Sequence, residues 1–279
     1  MYTDVNTSVR SPAGTSKPVP VKVGVQQGSA LSPLIFITVM DYLTKNIQDA
    51  VPWCLLYADD IVLVAESPEN LQETLNKWCH ALESNGLKIS RAKSEFMKFM
   101  FRRTCVSSLH IGDSPVAEVT KFKYLGSILH ETAKCDADVL HRVNAGWMKW
   151  RSLSGVLCDR RMPIRTKGKV YKTCVRPVLL YGAECWTTTC AHEANIHATE
   201  MKMLRWAGGV TRLDRIRNEH VRGSFKVTPI PDKLHESQLR WYGHVMRREK
   251  DHPVKIALEI DIGKQPPGRP KATWWRNSR

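Results

Sequence analysis

WCLLYADDIVLVAE, running from Trp53 to Glu66, is two short apolar runs on either side of the tetrad Tyr57-Ala58-Asp59-Asp60. Runs of this length with a polar break between them predict two strands joined by a tight hairpin turn. Two adjacent carboxylates on such a turn repel each other, and holding both ionised beside buried strands is unfavourable. A divalent cation removes that cost, and hard oxygen ligands suit Mg²⁺. The pair therefore reads as part of a metal site for phosphoryl transfer, in which cations stabilise the attacking and leaving oxygens. Standing alone, an Asp-Asp pair is also what an ordinary turn carries.

A second segment changes that balance. Gly24–Phe36 reads GVQQGSALSPLIF and ends 23 residues before Asp59. Together, in this order and at this spacing, the two motifs resemble the palm of reverse transcriptases, most of all those of non-LTR (LINE-type) retrotransposons. The resemblance is strongest over residues 21–129 and extends along the chain. It implies that Asp59 and Asp60 are catalytic and metal-binding. It also implies that Gln27, Gly28, Ser29, Tyr57 and Ala58 line the template and the incoming nucleotide. The implied cofactor is Mg²⁺ in a two-metal site. In the family a further upstream strand carries the first catalytic aspartate, whereas Asp4 is the only acid before Gly24 here. The expectation is thus a truncated reverse transcriptase that begins inside the palm, without fingers and with an incomplete two-metal site.

Charge is unevenly placed along the 279 residues, whose formal net charge is +15. Residues 1–130 hold 13 Lys and Arg against 12 Asp and Glu, while residues 131–279 hold 29 against 15. A basic half of this kind faces a polyanion. No long apolar span or basic amphipathic anchor points to a membrane. The eight cysteines are scattered and no signal peptide precedes them, which fits reduced thiols in an intracellular protein, nuclear or cytoplasmic rather than secreted.

Taken in order, Val19–Val25 predicts a short strand that Pro18 and Pro20 confine to an edge. Ser32 is the expected N-cap and Pro33 the first residue of a helix running to about Gln48. Beside the Gln27-Gly28 backbone, that helix N-terminus would favour phosphate. Ser67-Pro68 starts a second helix through Asn85, with Leu71, Leu75, Trp78 and Leu82 on one face and Asn85-Gly86 closing it. Leu87–Phe101 alternates as a strand. The resemblance makes Lys93 within it the lysine that approaches the departing pyrophosphate, as general acid or charge stabiliser. Phe122–Leu129, FKYLGSIL, resembles the hairpin that grips the primer end, with Tyr124, Leu125 and Gly126 as the gripping residues.

From Asp136 the chain turns helical and basic. Val139, Val143, Trp147, Trp150, Leu153 and Leu157 make an apolar stripe with Arg142, Lys149 and Arg151 off it. Pro163–Val175 is a second helix bearing Lys167, Lys169 and Lys172. The pair resembles a thumb, in which Arg142, Lys149, Lys167, Lys169 and Lys172 would contact the nucleic-acid backbone. Pro177–Trp186 is an apolar run, Glu193–Trp206 a further helix, and Leu234–Arg248 a basic helix whose aromatics suit stacking on bases, with core packing the more usual fate for Trp241. Cys185, Cys190, His192 and His197 have the spacing C-x4-C-x-H-x4-H, which lacks the regular short gaps of a zinc site, so no zinc is expected. Gly263–Arg279 is a Pro- and Arg-containing tail not expected to pack.

The fold class is therefore α+β: a partial reverse-transcriptase palm over residues 1–130, made of the YADD hairpin in an antiparallel sheet with helices on one face. A mostly α-helical basic domain follows over residues 131–262, and a flexible basic tail over 263–279. The function implied by the resemblance is RNA-directed DNA polymerisation, with RNA template, DNA primer and dNTP as partners and no small-molecule cofactor. A non-catalytic nucleic-acid-binding remnant is the alternative. A nucleotidyl cyclase is a third possibility, opposed by the Gln27-Gly28 segment and the basic C-terminal half.

Overall fold

Two short strands, β5 (Cys54–Tyr57) and β6 (Asp60–Leu63), form the antiparallel hairpin that the apolar runs predict, pairing Leu55 with Val62 and Tyr57 with Asp60. The computed structural model describes residues 5–21, 24–25, 28–99 and 108–259. These divide into two units, Met1–Ser94 with Ser107–Val116, and Glu95–Val106 with Ala117–Arg279.

The first unit opens with four two-residue strands, β1 (Asn6–Thr7), β2 (Arg10–Ser11), β3 (Gly14–Thr15) and β4 (Val19–Pro20). β1 pairs with β4 and β2 with β3, so the expected strand from Val19 shortens to two residues. α1 spans Ser32–Thr44 with Pro33 in its first turn. Its N-cap position falls on Leu31 rather than Ser32, and Ser29 acts just upstream, its hydroxyl accepting from the Leu31 N–H at 3.3 Å. α2 spans Pro68–Glu83 and starts as the sequence predicts, with the Ser67 hydroxyl accepting from the Asn70 N–H at 3.2 Å. Gly86 beyond it takes φ +85°, the left-handed conformation that the Asn85-Gly86 pair foretold. Met40, Cys54, Trp78 and Leu82 form the buried centre, with Phe36, Ile47, Ile61 and Leu63 packed against it. The hairpin is thereby seated on α1 and α2 through a common apolar core. β8 (His110–Ile111) and β9 (Ser114–Pro115) complete the unit, and the Gln72 side-chain amide both donates to the His110 carbonyl and accepts from its N–H, each at 2.8 Å.

The second unit holds β7 (Glu95–Phe96), β10 (Ala117–Glu118), β11 (Lys121–Tyr124) and β12 (Ser127–His130). β7 and β10 pair in parallel, while β11 and β12 form an antiparallel hairpin. Pairing among the described residues stops at two strands per sheet, so the expected larger antiparallel sheet is not formed there. Leu87–Phe101 is likewise not one strand. Residues 91–93 turn, with the Lys93 N–H donating to the Ser90 carbonyl at 3.1 Å and the Ser94 hydroxyl to the same oxygen at 3.0 Å. Serine side chains that bond nearby backbone compete with an extended ladder in this way.

Among the described residues eight α-helices follow: α3 (Asp136–Ser152), α4 (Ser154–Leu157), α5 (Ile164–Val170), α6 (Arg176–Leu179), α7 (Cys190–Gly208), α8 (Asn218–Phe225), α9 (Ile230–Met246) and the short α10 (Pro253–Glu259). A π-helical turn, Tyr171–Val175, joins α5 to α6. The predicted helix ending at Val175 therefore continues to Leu179, and the apolar run after Pro177 begins inside it. α7 starts at a capping box in which Thr189 and His192 bond each other's backbone N–H groups. The core takes Val139, Val143, Trp150 and Leu157 from the predicted stripe, with Trp147 and Leu153 half-buried at its margin. No described helix is long and apolar enough to cross a membrane.

Candidate functional site

At the tip of the β5–β6 hairpin, Ala58 and Asp59 are the two residues between the paired Tyr57 and Asp60. Ala58 has φ +53°, a left-handed conformation that costs a non-glycine residue roughly 1–2 kcal/mol. Tyr57, Ala58, Asp59 and Asp60 are all exposed. Both aspartate side chains are exposed, and neither makes a side-chain hydrogen bond or ion pair among the described residues. Their chemistry suits a hard divalent cation. Among the described residues, however, no group of three or more His, Cys, Asp or Glu side chains is placed to hold a metal.

Gly28 and Ser29 precede α1, whose core residues also support the hairpin. Gly28 takes φ +85° with open space where a side chain would project, so the backbone is accessible at that point. Ser29 is committed locally to the Leu31 N–H. Gln27, predicted beside them, lies outside the described residues. Lys93 is exposed on its turn rather than on a strand.

Tyr124, Leu125 and Gly126 form the turn of the β11–β12 hairpin. Leu125 has φ +47° and Gly126 φ +90°, the two positive values that a two-residue primed turn requires. The second unit clamps this turn. The Arg142 guanidinium donates to the Gly126 carbonyl and lies 4.4 Å over the Tyr181 ring, whose hydroxyl donates to the Leu125 carbonyl at 3.0 Å. Buried Asp138 accepts from the Ile128 N–H at 2.9 Å and from the Trp186 indole N–H at 2.8 Å, with Arg142 one helical turn away at 3.9 Å. Asp138, Tyr181 and Trp186 were not singled out by sequence, although Asp138 and Arg142 show the i, i+4 spacing of a helical ion pair.

That geometry corrects part of the predicted backbone-contacting set. Arg142 is buried and spent on the hairpin, and Lys167 is buried with its ammonium donating to the Ala207 carbonyl at 2.9 Å. Lys149, Lys169 and Lys172 are exposed. Of the Cys185, Cys190, His192 and His197 set, the two histidines have different partners. His192 bonds Asp136 at 2.8 Å and accepts from the Thr189 N–H, while His197 contacts the Arg222 guanidinium. That His192 bond holds the Asp136 carboxyl below its usual range.

Sequence also missed a buried ionic centre. Glu200 is fully buried and accepts from Tyr171 at 3.0 Å, Arg176 at 2.9 Å and the Ile230 N–H at 3.0 Å, with Arg222 at 3.6 Å. Burial, then the neighbouring carboxylate, push the Tyr171 phenol well above its ordinary value. The signal was available: Glu200 lies four residues beyond Ile196 and three before Met203, on the apolar face of α7.

Comparison with known proteins covers both the β5–β6 and the β11–β12 hairpins. The family model described as Reverse transcriptase (RNA-dependent DNA polymerase) matches residues 2–129. An uncharacterized transposon-derived protein of Caenorhabditis elegans is 23% identical over 216 residues, covering 74% of this chain and 75% of that protein. The RNA-directed DNA polymerase from mobile element jockey of Drosophila melanogaster is 23% identical over 254 residues, 86% of this chain and 27% of the relative. The Pol polyprotein from the type-2 retrotransposable element R2DM of the same species is 30% identical over 142 residues, 45% of this chain and 13% of the relative. The chain thus spans about a quarter of the length of the jockey polymerase.

Proposed function

We propose a function from one premise: residues 2–129 of this chain belong to the reverse transcriptase family, of the kind carried by non-LTR retrotransposons. On that premise the YADD hairpin is the palm turn of an RNA-directed DNA polymerase, and Asp59 and Asp60 are its share of the metal-binding carboxylates. The observation that carries this reading is the pair of exposed, unpartnered carboxylates on a strand hairpin inside the matched region. Bound Mg²⁺ would supply charge stabilisation at the oxygens of a transferring phosphoryl group. The chain's own contribution is to hold two carboxylates at a fixed turn, seated on α1 and α2, where a cation can reach them. Gln27, Gly28, Ser29, Tyr57 and Ala58 would lie along the template and nucleotide, and Lys93 near the leaving pyrophosphate. Tyr124, Leu125 and Gly126 would meet the primer end. RNA template, DNA primer and dNTP are the partners this reading requires, in a nuclear or cytoplasmic setting.

A second reading is a nucleic-acid-binding chain without polymerase chemistry. It is favoured by one observation, that no third carboxylate, histidine or cysteine joins the pair among the described residues. Primer extension on an RNA template with Mg²⁺, together with Mn²⁺ binding followed by electron paramagnetic resonance, separates the two. The polymerase reading expects metal binding and extension that both vanish in Asp59→Asn/Asp60→Asn. Metal binding and background extension unchanged by the double substitution would leave the second reading in possession.

A further inference from the structure

Trp206 is an exposed tryptophan in a strongly basic neighbourhood, on the second unit and outside every site discussed so far. It stands near the end of α7 with 64% of its surface exposed, although its ring is held 5.4 Å from the ring of Trp150, which is 3% exposed. Trp147 in turn meets Trp150 edge-on at 5.7 Å. The indole is therefore supported from behind by a core aromatic pair while much of it faces solvent. The chain then turns at Gly209 in the left-handed conformation and runs through 210–217. Arg205, next to Trp206, ties that loop down by donating to the Thr211 carbonyl at 3.3 Å, the Ile216 carbonyl at 2.6 Å and the Asn218 side chain at 3.0 Å. Leu213 on the same loop is 90% exposed.

The segments that carry this aromatic and its supporting tryptophans are charged almost all with one sign. Residues 147–158 and 201–217, the segments that carry the three tryptophans and the loop, contain seven basic residues and one acid, Asp214. Asp214 is exposed but engaged within its own loop, accepting from the Thr211 N–H at 2.6 Å and hydroxyl at 2.9 Å. Lys149, Arg151, Lys202, Arg212 and Arg215 are exposed. A protein partner meeting this surface would have to be acidic and apolar at once. A single-stranded nucleic acid meets both demands, since each nucleotide brings a phosphate for an arginine and a flat π-face for an indole.

We infer that Trp206, backed by Trp150 and followed by the loop that carries exposed Arg212 and Arg215, is a stacking platform for an unpaired base of single-stranded RNA or DNA. This rests on the nucleic-acid reading above but not on the carboxylate chemistry. A duplex, whose bases are already stacked on each other, gains little from the indole. The platform therefore discriminates strand state.

The full 279-residue chain is titrated with a fluorescein-labelled unstructured 12-nucleotide strand and, separately, with a duplex of the same sequence. Trp206→Ala is expected to weaken single-strand binding by about five- to a hundredfold, the range of one lost base stack. Duplex affinity should stay within about twofold. Trp206→Phe, which keeps an aromatic face, should recover most of the loss, and Arg212→Gln/Arg215→Gln should flatten the salt dependence. Tyr42→Ala, which removes an exposed aromatic from the first unit without changing charge, serves as the reference and is expected to bind single strands as the parent does. Parent-like single-strand affinity in Trp206→Ala overturns the inference. So does an equal loss on single strand and duplex, or a concentration-dependent dimer in sedimentation that Trp206→Ala dissolves.

Discussion

Tyr171 is the residue through which the buried centre of the second unit responds to pH. Its phenol donates to Glu200, a fully buried carboxylate, and burial with that negative neighbour raises its pKa well above the usual value. Unfolding would return the phenol to an ordinary pKa of about 10. In the alkaline range the unfolded chain therefore releases this proton while the native chain keeps it. Stability is fully present below about pH 10 and falls as pH rises beyond it, by up to about 1.4 kcal/mol per pH unit for one proton. Thermal melts of the parent chain between pH 8 and 11.5 should show this decline, and Tyr171→Phe should lose one proton's worth of its slope. An unchanged alkaline limb in the variant would refute the assignment. Ala58 shows a related limit on what residues disclose. The sequence marks a turn at Tyr57–Asp60, and the turn is there, but nothing in an alanine announces that it will adopt φ +53°. That conformation follows from strand pairing on both sides, which is not local information.

Elements were legible where their determinants are local, and obscure where a distant neighbour decides. α2 follows from Ser67, Pro68 and an apolar face, and its start and left-handed exit are both as read. Leu87–Phe101 alternates like a strand yet has nothing long to pair with among the described residues, and Ser90 and Ser94 fold part of it into a turn. The packing of α5 on α8 is a third case. An added Cβ at Gly168 would lie 1.9 Å from the Phe225 carbonyl oxygen, a backbone atom that cannot swing aside. Gly223, one turn into the same partner helix, faces open space. Overpacking of this severity costs about 1–3 kcal/mol or more. A glycine replaced by alanine at an open helical position gains about 0.5–1 kcal/mol. Urea unfolding should accordingly show Gly168→Ala destabilised and Gly223→Ala stabilised. Equal effects at the two sites would mean that the helices do not approach as described. In sequence both are simply glycines inside helical segments, and only the partner's backbone tells them apart.

At the scale of the whole chain, charge composition argues for a polyanionic partner but does not say which side chains would meet it. The excess of Lys and Arg lies beyond residue 130, as 29 against 15 acids, but charge carries no record of depth. Arg142 holds a hairpin turn and Lys167 caps a helix carbonyl, so neither ammonium nor guanidinium is available to a phosphate. Lys149, Lys169 and Lys172 stay exposed, two of them on the continuous helical stretch from Ile164 to Leu179. If these lysines neutralise duplex phosphates, the dependence of affinity on salt counts them, at a log–log slope of about −0.9 for each phosphate contact. Lys169→Gln/Lys172→Gln in the full chain should then make the slope shallower by about 1.8, as two contacts are removed. Lys77→Gln/Lys88→Gln removes the same charge from exposed positions of the first unit, where basic and acidic residues nearly balance. It should leave the slope within about 0.5 of the parent value, less than one contact's worth. The two variants have equal net charge, so a general electrostatic attraction would shift both slopes alike. A shift confined to the Lys169/Lys172 variant assigns the contact to that helix. An identical shift in both would place the binding in net charge alone and remove the second unit's claim to a defined nucleic-acid face.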